Sequence, residues 1–393
     1  MGKSAFRLLM ILLPFTNIIA NRVDETVGIY ILLGLFVISF VFSSSYKKKT
    51  KNEKRLMKFC LVCASIVVLY ALISLGLGIN NTYDIRFFGL FLLLLPFLAK
   101  KNAIRFYHYY LPGYLKYLCV LITISIIIDT ILMAMGLLTM QPMFDPEKYS
   151  YINRPFGIFG QPSVNSTLLC FFYIFYHSIN LSKNKEKDSL FIIVTIGVLM
   201  QRSGSGFISY FFVLLLKYGL PKKDMIRKVP RKLILLGAFL LIVFIGIVLS
   251  NKVEKISLNY MLELADFSNE ELWIPYLASL KSTSYIYFGI PETDLSIDLG
   301  PLFIIARVGV LFFIFLTFIF VYLFKKSKQI SMKLAIIMLL IGNLHYPVMF
   351  YFVMNFIWFF IIYHILVVNY EEKNGGSRTI NVQPQSFIPQ SPN

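Results

Sequence analysis

Pro301-Leu302-Phe303-Ile304-Ile305-Ala306-Arg307-Val308-Gly309-Val310-Leu311-Phe312-Phe313-Ile314-Phe315-Leu316-Thr317-Phe318-Ile319-Phe320-Val321-Tyr322-Leu323-Phe324 is 24 residues long and carries one charge. A hydrocarbon core about 30 Å thick takes about 20 apolar residues of helix, so this stretch has the dimensions of a membrane-crossing segment. Similar apolar runs lie at 5–20, 26–43, 59–78, 86–99, 117–138, 163–181, 189–201, 204–219, 233–250, 333–347 and 351–369. Hydrophobic residues make up 57% of the 393 and charged residues 15%, more apolar surface than one water-soluble core can hide. The dyad alternation of a membrane β-barrel is absent. The expected fold is an all-α polytopic integral membrane protein with about twelve transmembrane helices.

Charge sets the expected orientation. With the N-terminus inside, the segments assigned to the cytoplasmic side hold 29 of the 38 Lys and Arg residues, most densely around Lys47-Lys48-Lys49 and between 222 and 232. Acidic residues run the other way, with 14 of 20 on the trans side or in its helices. By the positive-inside rule both ends are cytoplasmic. The weak boundaries are the short fourth run, Gln201-Arg202-Ser203-Gly204 and His345-Tyr346-Pro347; the basic loops fix the parity through all three. Lys3 and Arg7 stand ahead of an apolar stretch as in a signal peptide, but Ile18 before Ala20 makes a poor cleavage site, so the segment reads as a retained helix. Residues 1–370 form one membrane domain, and the polar tail 371–393 is expected to be disordered in the cytoplasm.

The formal charge of +18 does not point to nucleic acid, because the cations sit between apolar runs and not beside an aromatic platform. Cys60, Cys63, Cys119 and Cys170 all lie inside apolar runs and read as packing residues. No Walker motif, zinc-type His-Glu-x-x-His or dinucleotide fingerprint occurs, so no cofactor or metal is expected and the driving energy must come from the substrate or an ion gradient.

Two trans loops have the length to carry chemistry, about 139–162 and 251–300. Stretches 260–264 and 273–280 of the second have the apolar spacing of short interfacial helices. The first loop ends in Arg154-Pro155-Phe156-Gly157-Ile158-Phe159-Gly160-Gln161-Pro162-Ser163-Val164-Asn165-Ser166. Its glycines and prolines impose an irregular backbone, and Arg154 enters it beside backbone donors and the start of a helix, a combination suited to an anion. The alternative is a structural turn whose arginine reaches the headgroups. Arg202 stands at a trans turn, where Ser203-Gly204-Ser205-Gly206 would let two helices approach closely. Arg307 lies about two turns inside its helix, where an arginine costs about 2.5–3.5 kcal/mol at mid-membrane and needs a ligand, a wet cavity or an ion-pair partner such as Asp129. Glu292, Asp294 and Asp298 precede that helix; one of them is a candidate general base, the alternative being solvated loop carboxylates. His345 is a candidate base or phosphate donor, or else a satisfied buried histidine. His108 falls in a cytoplasmic loop and His177 and His364 toward cytoplasmic ends, away from a trans-side substrate.

The many helices, the arginine-led Arg154-Pro155-Phe156-Gly157 loop, Gln161-Pro162-Ser163-Val164-Asn165, the Arg202-Ser203-Gly204 turn and the long loop leading into Asp298 and Arg307-Val308-Gly309 resemble bacterial O-antigen polymerases of the Wzy type, a family related to the O-antigen ligases. The topological likeness covers nearly the whole chain and the motifs about thirty residues. The resemblance implies a glycosyltransferase of the inner membrane that joins undecaprenyl-pyrophosphate-linked repeat units into O-antigen at the periplasmic face. It also implies Arg154, Arg202 and Arg307 as pyrophosphate ligands and a polysaccharide chain-length regulator as a partner. The ligases place a histidine near the end of their large loop; here Glu292, Asp294 and Asp298 occupy that region, which weighs against a ligase. The rival from another class is a lipid-linked oligosaccharide flippase, which would place its cations deep in a lumen between related halves.

Overall fold

The computed structural model describes residues 2–16, 18, 34, 36–38, 40–42, 51–79, 101–137, 154–180, 188–219, 280, 282–290, 300–344, 348 and 352–368. All regular structure among these residues is helical. The helices are α1 (Gly2–Leu12, continued by a 3-10 turn at Leu13–Phe15), α2 (Lys51–Gly76), α3 (Lys101–Tyr109), α4 (Leu111–Ala134), α5 (Pro162–Ile179) and α6 (Ser189–Gln201). They are followed by α7 (Gly204–Leu214, with a π-helical turn at Leu215–Gly219), α8 (Thr283–Phe288), α9 (Gly300–Lys326), α10 (Ile330–Gly342) and α11 (Phe352–Tyr363, with a π-helical turn at His364–Val368).

Three of them, α2, α4 and α9, are long and apolar enough to cross a membrane. Their surfaces explain why lipid is the solvent. On α2 only Leu56, Cys60, Cys63, Val67 and Ser74 are buried, a stripe at helical spacing, while Leu61 on the same helix is 66% exposed. On α9, Phe318 is 70% exposed. Apolar surface this continuous is unstable against water and marks a membrane-embedded protein. Cys60 and Cys63 belong to the α2 stripe, and all four cysteines are buried free thiols, as expected of packing residues.

α5 is the hub. Every residue from 163 to 175 is buried, polar ones included, and α4, α6, α7 and α10 surround it. Small residues let the neighbours close in. A Cβ on Gly206 of α7 would lie 2.5 Å from that of Ser166, and one on Gly197 of α6 would lie 2.5 Å from Leu169 and 2.9 Å from Thr123 Oγ1. Polar contacts tie the same helices together: Thr123 donates to the Ile193 carbonyl at 3.3 Å, and Ser209 to Thr167 at 3.3 Å.

Several boundaries differ from expectation. The run expected to begin at 117 starts at Leu111, because Pro112 suits the first turn of a helix, where its missing N–H costs nothing. His108 was expected in a loop; it lies in α3, a short helix whose Asn102, Ala103, Ile104, Phe106 and Tyr107 are buried while Lys101 and Arg105 stay outside. α9 is broken at Gly309, whose φ of 75° and ψ of 167° are not helical. Ile290, just after α8, donates its N–H to the Ala306 carbonyl at 2.7 Å, and the Tyr70 hydroxyl donates to the Val308 carbonyl, so groups near the break have partners from outside the helix. Runs 86–99 and 233–250, most of 26–43, the basic segments at 47–49 and 222–232, and the tail 371–393 lie outside the described residues.

Candidate functional site

The segment from Arg154 to Gln161 is fixed by three polar side chains from neighbouring helices. Gly157, at φ +63°, donates its N–H to Asp129 Oδ2 of α4 at 2.7 Å, and Ile158 donates to Ser125 Oγ of α4 at 3.0 Å. Phe159 donates to Asn165 Oδ1 of α5 at 3.2 Å; the Asn165 amide in turn donates to the Phe156 carbonyl and, at 2.7 Å, to the Gln161 carbonyl. Ser125 and Asp129 are four residues apart, hence on one face of α4, and both are buried with Asn165. Gly157 lacks a Cβ for a steric reason as well: one would stand 3.0–3.1 Å from the Asn165 amide.

This corrects one expectation. The backbone donors of 157–159 were read as available to an anion, yet each already has an internal acceptor. Buried N–H groups demand partners, and Asp129, Ser125 and Asn165 supply them. What the loop offers is a rigid platform. The expected helix does begin just after it, at Pro162 behind the extended residue Gln161.

The platform carries Arg154 to Arg202. An Arg154 guanidinium nitrogen donates to the Arg202 main-chain carbonyl at 3.3 Å, across 48 residues of sequence. Arg202 caps α6 at φ 48° and ψ 39°, the one non-glycine with positive φ among the described residues, and its side chain is exposed. The next residue, Ser203, caps α7 by accepting the Gly206 N–H at 3.4 Å. The small residues of this turn allow the close helix approach expected of them, and the two helices are α7 and α5: Gly206 seats α7 against Ser166. The left-handed residue that makes the turn is Arg202 itself.

Arg307 lies where α8 packs on the first half of α9. It is half-buried, with its guanidinium 5.3 Å from the centre of the Phe303 ring, a cation–π contact one turn back. Gly289, at φ +93°, passes so close to the Arg307 carbonyl that a Cβ there would be 2.7 Å from the carbonyl carbon. Asp129, weighed as an ion-pair partner for Arg307, accepts the Gly157 N–H. Glu292, Asp294, Asp298 and His345 lie outside the described residues, as do 139–153 of the first trans loop and 251–279, 281 and 291–299 of the second.

The three remaining histidines have partners within the bundle. His364 contacts the Tyr107 hydroxyl through Nδ1 and Gln329 Oε1 at 3.0 Å through Nε2, and His108 lies 3.2 Å from the Tyr363 hydroxyl. His177 Nε2 is 3.3 Å from Asp188 Oδ2, which also meets Lys217 at 3.6 Å and the Tyr173 hydroxyl. Burial of Asp188 pushes its carboxyl up, but the nearby His177 imidazole, the hydrogen bond from Tyr173 and the Lys217 charge hold it well below the usual carboxylate range.

The polar partners of the Arg154 loop were only partly legible beforehand. Ser125 and Asp129, spaced i and i+4 on a largely apolar helix, are the available signal. No family model, characterised protein or solved structure matches this chain.

Proposed function

We propose that this chain is a polysaccharide polymerase of the bacterial inner membrane, with about twelve transmembrane helices and both ends in the cytoplasm. In this reading it transfers a growing glycan from undecaprenyl pyrophosphate to an incoming lipid-linked repeat unit at the periplasmic face, in O-antigen or a related surface polysaccharide. The observation that carries the reading is the meeting of Arg154 and Arg202 on a platform fixed by Asp129, Ser125 and Asn165. Two guanidinium-bearing residues on a rigid base suit the paired phosphates of such a donor, because a preorganised cation stabilises a leaving oxyanion without reorganisation at the moment of reaction. Arg307, on its own broken helix, is the third phosphate ligand. Glu292, Asp294, Asp298 and His345 supply the candidates for the base that deprotonates the acceptor hydroxyl. A lipid pyrophosphate is already activated, so the reaction calls for no nucleotide.

The test is the electrophoretic profile of surface glycolipid from a strain lacking the gene, with and without the gene restored. Loss of the long ladder with retention of a single capped repeat is expected, since flipping and ligation still operate. Loss of every repeat would reassign the protein to flipping or attachment, and the arginines to a transport path or a ligase.

A further inference from the structure

Gln201, the last residue of α6, is 0% exposed, and neither its amide oxygen nor its amide nitrogen has a hydrogen-bond partner among the described residues. A buried amide in that state is costly, and an apolar side chain of similar volume would pack without the cost. Its neighbour in sequence is Arg202, whose carbonyl accepts the hydrogen bond from Arg154. The unsatisfied amide therefore belongs to the residue that immediately precedes the turn where the two arginines meet.

We propose that Gln201 is a specificity-determining ligand for the donor, hydrogen-bonding a hydroxyl or acetamido group of the sugar attached to the pyrophosphate; this rests on the polymerase reading. The amide offers both a donor and an acceptor, which suits the hydroxyl and acetamido groups of a sugar better than a phosphate, which only accepts. Access follows from the Arg154 contact. A single bond to a neutral carbonyl at 3.3 Å holds a guanidinium less firmly than a phosphate, which adds the opposite charge and can accept two parallel N–H bonds. When Arg154 turns to the donor's phosphate it releases the Arg202 carbonyl, the left-handed turn opens, and Gln201 reaches the adjoining sugar. Binding thus uncovers a group that recognises the glycan only after the pyrophosphate has been engaged.

The experiment compares purified full-length protein with its Gln201→Leu variant in detergent. The donor is undecaprenyl-pyrophosphate-linked repeat unit extracted from the deletion strain, and undecaprenyl pyrophosphate without glycan serves as a competitive probe. The expected result has three parts: Tm equal to or above wild type, KM for the donor raised about tenfold, as for one lost hydrogen bond, and unchanged inhibition by the glycan-free probe. A lowered Tm would mean that Gln201 has a structural partner and overturns the inference. So would a donor KM equal to wild type, or an equal loss of affinity for donor and glycan-free probe. If wild-type protein makes no polymer from this donor, the polymerase reading itself fails and takes the inference with it; an active wild type matched by Gln201→Leu sinks the inference alone.

Discussion

Arg154 is where sequence and structure converge most closely at the scale of single residues. It was conspicuous as an arginine leading a loop rich in glycine and proline, and the structure aims its guanidinium at the Arg202 turn. Arg154→Ala should leave the protein in the membrane yet abolish polymer, because the donor loses a bidentate partner; Arg154→Lys, a point charge without the planar fork, should restore only part of it. Normal ladders from a well-expressed Arg154→Ala protein would remove this assignment. Asp129 has a structural part. The sequence offers it as one possible partner for Arg307, and the structure shows it accepting a loop N–H. Asp129→Ala leaves the Gly157 N–H buried without that acceptor and should lower stability by about 1–3 kcal/mol, read as thermal unfolding in detergent, with activity falling alongside. Asp129→Asn keeps an acceptor oxygen and should cost less. Equal stability of Asp129→Ala and wild type would show that the platform does not depend on this bond.

Among the helices, α9 shows how an apolar run conceals a break. Its 27 residues look continuous in sequence, yet Gly309 adopts a backbone conformation open essentially to glycine alone, and an added Cβ would fall on the Tyr287 carbonyl. Gly309→Ala should therefore destabilise by about 1–3 kcal/mol or force the α8 segment off α9, detectable as a lower Tm together with faster proteolysis between 280 and 300. Unchanged Tm and cleavage would mean that α9 tolerates a straight course. At the start of α6, Asp188 caps the helix by accepting the Phe191 N–H at 3.2 Å while its carboxylate gathers Tyr173, His177 and Lys217. Its carboxyl is depressed in the folded protein, so the stability it contributes is fully present above the unfolded carboxylate value of about 4 and is lost as pH falls below that toward the folded value. Asp188→Asn retains a capping side chain but removes the charge, so its Tm deficit relative to wild type should shrink as pH falls below about 4. A deficit that grows below that pH would reverse the sign of this account.

For the whole molecule, what remains to be tested is orientation. In the proposed topology the basic segments at 47–49 and 222–232 face the cytoplasm, so Lys48→Cys and Lys223→Cys in a cysteine-free background should react with an impermeant maleimide only from the cytoplasmic side, and Asn153→Cys only from the trans side. Labelling of Lys48→Cys and Asn153→Cys from the same side would break the proposed topology. The sequence by itself determined the helical, lipid-solvated character of the chain, because a run of apolar residues must satisfy its backbone internally wherever it lies. It also pointed to Arg154 and Arg202, because charges and turn residues stand out against an apolar background. Only the tertiary structure decided that those two residues meet, that α5 is the buried hub, and that Asp129, Ser125 and Asn165 hold the Arg154 loop. The physical reason is separation along the chain: these bonds close over 48, 28, 33 and 6 residues, and helical periodicity, which repeats every 3.6 residues or so, carries no information about which turn of one helix faces which loop of another.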